Sequence, residues 1–175
     1  MGWYNETKTQ GSSGSGKFFK LGDGDKAKVI VLGEPWKKET HWVGGKTETC
    51  TGPGCEFCAE GIKRSQRFAL QVYSMTEKCL QIWEMPWGVY NDLGEEIADW
   101  GDQDCAMQIR RTGTGKDTRY KLRAGKVDSD TLETAKSEFE MPHDLTEYGF
   151  EGLMAAAPKA MPMTPDAGDD SDLPF

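Results

Sequence analysis

Histidine is scarce in this sequence of 175 residues, which contains only His41 and His143. General acid–base catalysis uses histidine more often than any other side chain. No serine–histidine pairing and no glycine-rich phosphate loop stands out either. The sequence therefore gives no sign of an enzyme, and we expect a binding protein.

Long apolar runs are also missing. No stretch resembles a membrane span, and the first twenty residues lack the apolar core that secretory leaders contain. The cysteines number five, an odd count that does not suit a fully paired disulfide framework. We therefore expect a protein without a membrane partner that works in a reducing cytoplasm.

Basic residues are outnumbered over the whole chain, and the formal net charge is −8. The acidic excess is confined to one end, because residues 1–127 hold 19 Lys and Arg against 17 Asp and Glu. Residues 128–175 hold 2 basic residues against 12 acidic ones. An acidic segment attached to a near-neutral or basic body is typical of an interaction tail. The acidic total thus does not exclude nucleic acid as a ligand of the body.

The sequence does contain a compact group of metal-binding residue types. One imidazole and three thiols fall within eighteen residues, at His41, Cys50, Cys55 and Cys58. Zinc in structural sites takes four such ligands, and one histidine with three cysteines is a common set. The segment Gly52-Pro53-Gly54 supplies a bend just before the CxxC pair. We predict one structural Zn²⁺ per chain, and the alternative is a chance CxxC among unrelated thiols.

Catalytic uses of such a cluster fit the sequence poorly. Four protein ligands leave no open position for a water molecule. Zinc deaminases need H-x-E, whereas Trp42 and Val43 follow His41. A redox-active CxxC belongs to a βαβ pattern, which the sequence does not show. The metal is therefore expected to serve the fold.

Alternating apolar and polar residues predict a strand-rich domain. The clearest segments are residues 26–32, 39–43, 68–75, 79–84, 105–110 and 119–123. Several short strands in one small domain favour a mainly β fold, a closed or partly open barrel of about five strands that carries a zinc loop. A capping-box pattern at Asp130 predicts a short helix that ends before Pro142, and Leu145 to Met154 suggest a second one.

Four segments follow from these patterns. They are a flexible N-terminal segment 1–16, a zinc-containing core 17–127, a helical extension 128–154 and an acidic tail 155–175. The tail is rich in Ala, Pro, Met, Gly and Asp, which cannot bury a core. We therefore expect it to be disordered.

Aromatic and basic residues are interleaved along the core. Proteins that bind single-stranded nucleic acid stack bases on aromatic faces beside cations that follow the phosphates. In the last predicted strand, Arg119, Lys121 and Arg123 share one face. The alternative for this face is an ordinary solvated sheet surface. The candidate DNA-binding residues are Trp42, Lys46, Arg67, Tyr73, Trp83, Arg110, Arg111, Arg119, Lys121 and Arg123.

The order of the four metal-binding residues, set between early and middle strands of this body, resembles the zinc-containing single-stranded DNA-binding proteins of tailed bacteriophages. The run Asp170-Ser-Asp-Leu-Pro-Phe175 is similar to the tip of bacterial single-stranded DNA-binding proteins. The resemblance implies an OB-fold core that binds single-stranded DNA without sequence specificity during phage replication, recombination or repair. It also implies a location in the cytoplasm of the infected bacterial host.

The same resemblance implies a role for the tail, whose tip would dock replication or recombination proteins of the host or phage. The residues implied in this docking are Asp169, Asp170, Asp172, Leu173, Pro174 and Phe175.

Two other functions remain open at this point. The chain could be a zinc-bearing interaction adaptor in transcription that uses the acidic tail to recruit RNA polymerase or another phage protein. It could also be an RNA-binding regulator, because RNA-binding modules include OB-folds. Quenching of tryptophan fluorescence by poly-dT but not by duplex DNA separates single-strand binding from the adaptor, and competition by RNA separates it from the regulator.

Overall fold

The computed structural model of this protein describes residues 16–152. These residues form a mainly β fold with seven strands in one antiparallel sheet and three α-helices. The strands are β1 (Lys26–Val43), β2 (Lys46–Thr49), β3 (Arg64–Ser74), β4 (Cys79–Pro86), β5 (Ala106–Thr112), β6 (Arg119–Gly125) and β7 (Glu151–Gly152). The helices are α1 (Glu56–Ala59), α2 (Trp87–Trp100) and α3 (Ser129–Glu138). The predicted segment 1–16, except Gly16, and the predicted tail 155–175 lie outside the described residues.

Strand β1 is the centre of the sheet, and it is one strand where the sequence predicted two. Its first half pairs with β5 on one side and β3 on the other, and its second half pairs with β2 and β3. The pairing with β3 is irregular between Leu32 and Trp36. Gly33, with φ of +71°, bends the chain there, and a Cβ at this position would overlap the ring of Phe139. The Gly-Glu-Pro interruption is therefore a bulge within a continuous strand.

Of the two predicted forms, a closed or a partly open barrel, the closed one is not observed. The five long strands follow the order β4-β3-β1-β5-β6, and β4 and β6, at the two ends, do not pair in the described part of the chain. Other parts of the chain form hydrogen bonds with the outer edges of β4 and β6 instead. The amide of Ile82 in β4 donates to Lys17, and the carbonyl of Ile82 accepts from Phe19. On β6, the Ala124 amide donates to the Glu96 carboxylate of α2.

The two faces of the sheet are covered by different elements. The largest core cluster contains Val29, Leu70 and Met107 from three strands, together with Leu93 of α2. The opposite face of β1, β3 and β4 packs against α3 and the segment that follows it, with Ala135, Leu145 and Phe150 buried. This second face continues onto β5 and β6, where the C-terminal elements do not cover it.

The helices differ from the prediction in their limits. Helix α2 was not predicted. The N-cap of α3 lies two residues earlier than the capping-box pattern predicted, because Asp128 and not Asp130 accepts the backbone N–H of Thr131, at 2.8 Å. The Thr131 hydroxyl donates a second hydrogen bond to the same carboxylate, and the two bonds lower the pKa of Asp128 below its ordinary value. The second helix predicted from Leu145 is a single 3₁₀ turn, Thr146–Tyr148, followed by β7. No helix among the described residues has the length and apolarity needed to cross a membrane.

Candidate metal centre and candidate nucleic-acid surface

The four predicted metal ligands meet at one place. The ligand atoms of His41, Cys50, Cys55 and Cys58 all lie within 4.8 Å of one another. His41 Nε2 is 3.5 Å from Cys55 Sγ and 3.4 Å from Cys58 Sγ, and the sulfurs of Cys50 and Cys58 are 3.6 Å apart. His41 is fully buried and Cys55 is nearly so. These side chains form a candidate metal centre.

Local structure delivers each ligand to the centre. His41 lies near the end of β1, and Cys50 follows β2 immediately, with its amide bonded to the Glu39 carbonyl of β1 at 2.8 Å. Pro53 and Gly54 then occupy the centre of a turn closed by the Cys55 amide and the Gly52 carbonyl. Proline at the first central position and glycine with φ of +86° at the second match a type II turn. The turn leads into α1, which carries Cys58.

Surrounding groups fix the ring of His41. Its Nδ1 lies 3.0 Å from the carbonyl oxygen of Ile62. A carbonyl can only accept, so Nδ1 carries the proton and the lone pair of Nε2 faces the three sulfurs. This is the usual outer contact of a metal-binding histidine. Arg64 adds a second outer contact, because its Nε donates to Cys58 Sγ at 3.2 Å while its Nη1 bonds Glu39 at 2.8 Å.

The pKa values of Cys55 and Cys50 are shifted in opposite directions. The backbone amide of Cys58, followed by that of Thr51, stabilises the thiolate of Cys55 and lowers its pKa to about 6. The Gly52 amide has the same effect on Cys50, but desolvation and the neighbouring sulfurs outweigh it, and the pKa of Cys50 is raised. Closely packed thiolates repel one another, and a cation among them removes that repulsion.

The measured separations suit a small tetrahedral cation. Zinc–sulfur bonds of about 2.3 Å and zinc–nitrogen bonds of about 2.05 Å place neighbouring sulfurs about 3.8 Å apart and sulfur about 3.6 Å from nitrogen. Three of the six separations, 3.6, 3.5 and 3.4 Å, agree with these values to within a few tenths of an ångström, and all six are at most 4.8 Å. The residues present therefore fit one ion held by one imidazole and three thiolates.

A second feature is a group of cations on the open part of the sheet. Lys26 on β1 is directly opposite Arg110 on β5, which is directly opposite Lys121 on β6. The next row along the strands consists of Lys28, Gln108 and Arg123 in the same register. We call this surface the basic face, and it comprises Lys26, Lys28, Gln108, Arg110, Arg119, Lys121 and Arg123.

All residues of the basic face are exposed. A depression of about 330 Å³ between the two rows is lined by Lys26, Lys28, Gln108, Arg110, Lys121 and Arg123. Within residues 16–152, none of its five Lys and Arg residues forms an ion pair. The depression is therefore lined by uncompensated positive charge.

The burial of Trp83 and Tyr73 does not fit their predicted role in stacking on DNA bases. Trp83 is 3% exposed and contacts the rings of Phe19 and Tyr120, with centroids 5.6 and 6.4 Å away. Tyr73 is 4% exposed and belongs to the cluster beneath α3. Trp83 does line a depression of about 320 Å³ with Arg67 and Arg111, but almost none of its ring surface is accessible for stacking, and the ring of Tyr73 is covered by α3. Both residues are parts of the core.

Two predicted cations are engaged within the protein. Arg67 Nε bonds the Glu84 carboxylate at 3.1 Å, and the same carboxylate is 3.6 Å from Lys38. Arg111 is half-buried, and its guanidinium donates to the Leu21 carbonyl and, at 3.4 Å, to the Thr118 hydroxyl. These side chains are less available to a ligand than the cations of the basic face.

The remaining predicted residues lie at two separate places. Trp42, which is 67% exposed, and Lys46 lie at the far end of β1 beside the metal centre. Arg110, Arg119, Lys121 and Arg123 lie at the other end of the sheet, on the basic face. The predicted groove is therefore divided between the two ends of β1.

Sequence reasoning missed Lys26, Lys28 and Gln108 of the basic face, and Trp100 beside it. Lys26 and Lys28 alternate with apolar neighbours, which is a visible strand signal, but their register with Arg110 and Gln108 is set by pairing with β5, which is distant in the sequence. Trp100, which is 40% exposed, ends an unpredicted helix and lies beside Lys121 and Arg123. The predicted partner-binding residues, Asp169 to Phe175, lie outside the described residues.

Comparisons with known proteins give no further identification. No protein-family model matches the sequence, and no curated protein or solved structure gives a match to the chain.

Proposed function

We propose that this chain binds single-stranded DNA without sequence specificity and that the basic face holds the phosphates. The observation that carries this proposal is the row Lys26, Arg110, Lys121. Like charges directly opposite one another destabilise a sheet. A bound polyanion removes this cost, and the absence of acidic partners among the described residues leaves the cations available for it.

The dimensions of the basic face favour a chain of phosphates over a single anion. Adjacent strands are about 4.8 Å apart, so the three cations of one row span roughly 10 Å. The second row and Arg119 extend the charge along the strands. Contacts to phosphates carry no sequence information directly, which is why we propose non-specific binding.

Exposed tryptophans favour a single strand over a duplex. Trp42 and Trp100 present open rings to solvent, one near the metal centre and one beside the basic face. Unpaired bases stack on such rings, while bases in a duplex are already stacked on each other. No constellation of catalytic groups accompanies these surfaces in the described residues, and the proposal is of a binding protein and not an enzyme.

We further propose an OB-fold-like arrangement of the five long strands. An OB-fold is a partly open five-stranded Greek-key barrel that binds oligonucleotides on its second and third strands and on the loops between strands 1 and 2 and between strands 4 and 5. Counting only the long strands, the first of these loops is residues 44–63, with the metal centre, and the second is residues 113–118. The second loop adjoins the basic face, because it joins Thr112 of β5 to Arg119 of β6, whereas the first lies at the other end of β1, beside Trp42.

The proposed metal is Zn²⁺, one per chain and structural. The donor set and separations support zinc, and four protein ligands leave no position for substrate. The ion would fix the loop of residues 44–63, and with it Trp42 and Lys46, against β3. From the resemblance of the ligand order and the C-terminal tip, we propose a role in phage DNA replication, recombination or repair in the host cytoplasm, with the tip docking a replication or recombination protein.

The test is a titration with poly-dT at several salt concentrations. Each phosphate contact on a single strand contributes about 0.7 to the slope of log K against log [salt]. Lys121→Gln is expected to weaken binding and to reduce this slope by about 0.7. The matched control is Lys136→Gln on α3, which removes the same charge from a lysine already 2.9 Å from the Asp104 carboxylate. The control is expected to keep the wild-type slope.

Competition with poly-dT by duplex DNA and by poly-rU distinguishes the three candidate functions. Weak competition by duplex DNA and by poly-rU supports the proposal. Equal competition by poly-rU would favour the RNA-binding regulator. Binding that does not depend on salt, or an absence of binding to any nucleic acid, would overturn the proposal and favour the adaptor.

A further inference from the structure

Trp100 occupies an unusual position for an exposed tryptophan. It is the last residue of α2, and the chain turns away immediately at Gly101, which has φ of +116°. The turn leaves the indole 40% exposed at the helix end. Tryptophan is among the largest apolar side chains, and the unburied part of its ring gives no folding free energy.

The indole borders a depression of about 390 Å³ between α2 and β6. Lys121, Leu122 and Arg123 form its β6 side, and Glu96 and Asp99 belong to α2. The carboxylate of Glu96 accepts the Ala124 amide at 3.2 Å, so this acid serves the edge of the sheet. One open aromatic ring thus lies next to two cations that also belong to the basic face.

We infer that this depression is a nucleobase subsite, in which one unpaired base stacks on Trp100 while the adjoining phosphates contact Lys121 and Arg123. The inference rests on the proposed function and names the aromatic group that works with the basic face. A base and its phosphate are joined by one sugar, so a stacking ring and a phosphate-binding cation must be neighbours. Trp100 is the exposed tryptophan among the described residues that meets this condition, because Trp42 lies at the other end of β1 and Trp87 is not part of the depression.

Helix α2 supplies a matched control for this inference. Trp87 is the first residue of the same helix, is 57% exposed and does not line the depression. At about 1.5 Å per residue the backbone positions of the two tryptophans are separated by roughly 20 Å along the helix axis. Equal substitutions at the two ends of α2 therefore compare a ring beside the basic face with a ring away from it.

The experiment measures poly-dT affinity and tryptophan quenching for Trp100→Ala, Trp100→Phe and Trp87→Ala, each as the full chain loaded with zinc. Stacking of one base predicts about 5- to 150-fold weaker binding for Trp100→Ala with an unchanged salt slope. Trp100→Phe keeps an aromatic face, and we expect it to recover most of the affinity while losing part of the quenching. Trp87→Ala is expected to bind like the wild type.

The outcomes separate the subsite from the wider function. If the wild type binds poly-dT with salt dependence but Trp100→Ala and Trp87→Ala bind equally well, the subsite is wrong and the proposed function stands. If Trp100→Phe binds as weakly as Trp100→Ala, stacking is also excluded. If the wild type does not bind poly-dT, the proposed function fails and the subsite fails with it. Circular dichroism of Trp100→Phe confirms that the comparison is made on folded protein.

Discussion

Gln71 on β3 and His143 in the C-terminal segment are joined by a reciprocal pair of hydrogen bonds. The His143 amide donates to Gln71 Oε1 at 2.8 Å, and Gln71 Nε2 donates to the His143 carbonyl at 3.1 Å. The ring of His143 adds a bond from Nε2 to the Leu80 carbonyl at 2.9 Å. With Leu145 and Phe150 buried close by, these contacts attach residues 143–150 to the face of β3 and β4.

Gln71→Leu is expected to destabilise the protein. Leucine has a similar size but leaves the N–H and C=O of His143 without their partner at a part-buried place, which costs about 1–3 kcal/mol. Urea unfolding measures the loss. Gln66→Leu is the control, because Gln66 is exposed on the same strand and should change stability by less than about 0.5 kcal/mol. Equal losses in the two variants would contradict this account of the pair.

Cys55→Ser is expected to lower both the zinc content and the thermal stability. Binding of zinc by thiolates is coupled to folding, so the loss of one buried ligand weakens the metal site and loosens the loop of residues 44–63. Elemental analysis of the wild type should give about one zinc per chain. Removal of the metal with a chelator should lower the unfolding temperature in the same direction.

The control for the metal prediction is Cys79→Ser. Cys79 is a free thiol on β4 and is not part of the metal cluster. This variant should keep the wild-type zinc content. Metal-free protein with unchanged stability would show that the cluster does not hold a structural ion.

Trp83→Ala is expected to act through stability. The side chain is buried between Phe19 and Tyr120, and removal of such a ring leaves a cavity that costs about 3–5 kcal/mol. Trp83→Leu keeps much of the apolar volume without an aromatic face, and its folded fraction should retain near-normal binding of poly-dT. A large loss of DNA affinity in folded Trp83→Leu would show that Trp83 is a stacking residue after all.

Deletion of residues 155–175 is expected to tighten binding of single-stranded DNA at low salt. This segment contains Lys159 against Asp166, Asp169, Asp170 and Asp172, a net charge of −3. A tethered anionic segment has a high effective concentration near the basic face and competes weakly with phosphates. The gain in affinity should shrink as salt screens the charges.

Removal of Phe175 alone should separate the two roles of the tail. An apolar side chain adds nothing to phosphate mimicry, so DNA affinity should stay nearly unchanged. Capture of a replication or recombination protein by the tail should be lost, because an apolar tip on an acidic segment suits a small hydrophobic pocket bordered by Lys and Arg. If this variant changed DNA binding as much as the full deletion, the docking interpretation of the tip would be wrong.

Local chemistry is the part of this protein that the sequence determined by itself. Gly52, Pro53 and Gly54 dictate a turn wherever they occur, and His41 with the three cysteines is a donor set that needs no distant residue to be recognised. The exposed alternation of Arg119, Lys121 and Arg123 was also readable, because side chains of any strand alternate between two faces. The clustering of the four ligands and the strand-rich class follow from such signals.

The tertiary structure decided which strands are neighbours and which surfaces stay open. The pairing of Lys26 with Arg110 could not be predicted from the sequence, because it depends on the register of β1 with β5, and 83 residues separate the two positions. Trp83 and Trp100 are the same residue type, yet one is buried and the other exposed. The difference comes from what packs against each ring, since burial is a property of the assembled sheet, its helices and the C-terminal segment together, and no local window of sequence contains them all.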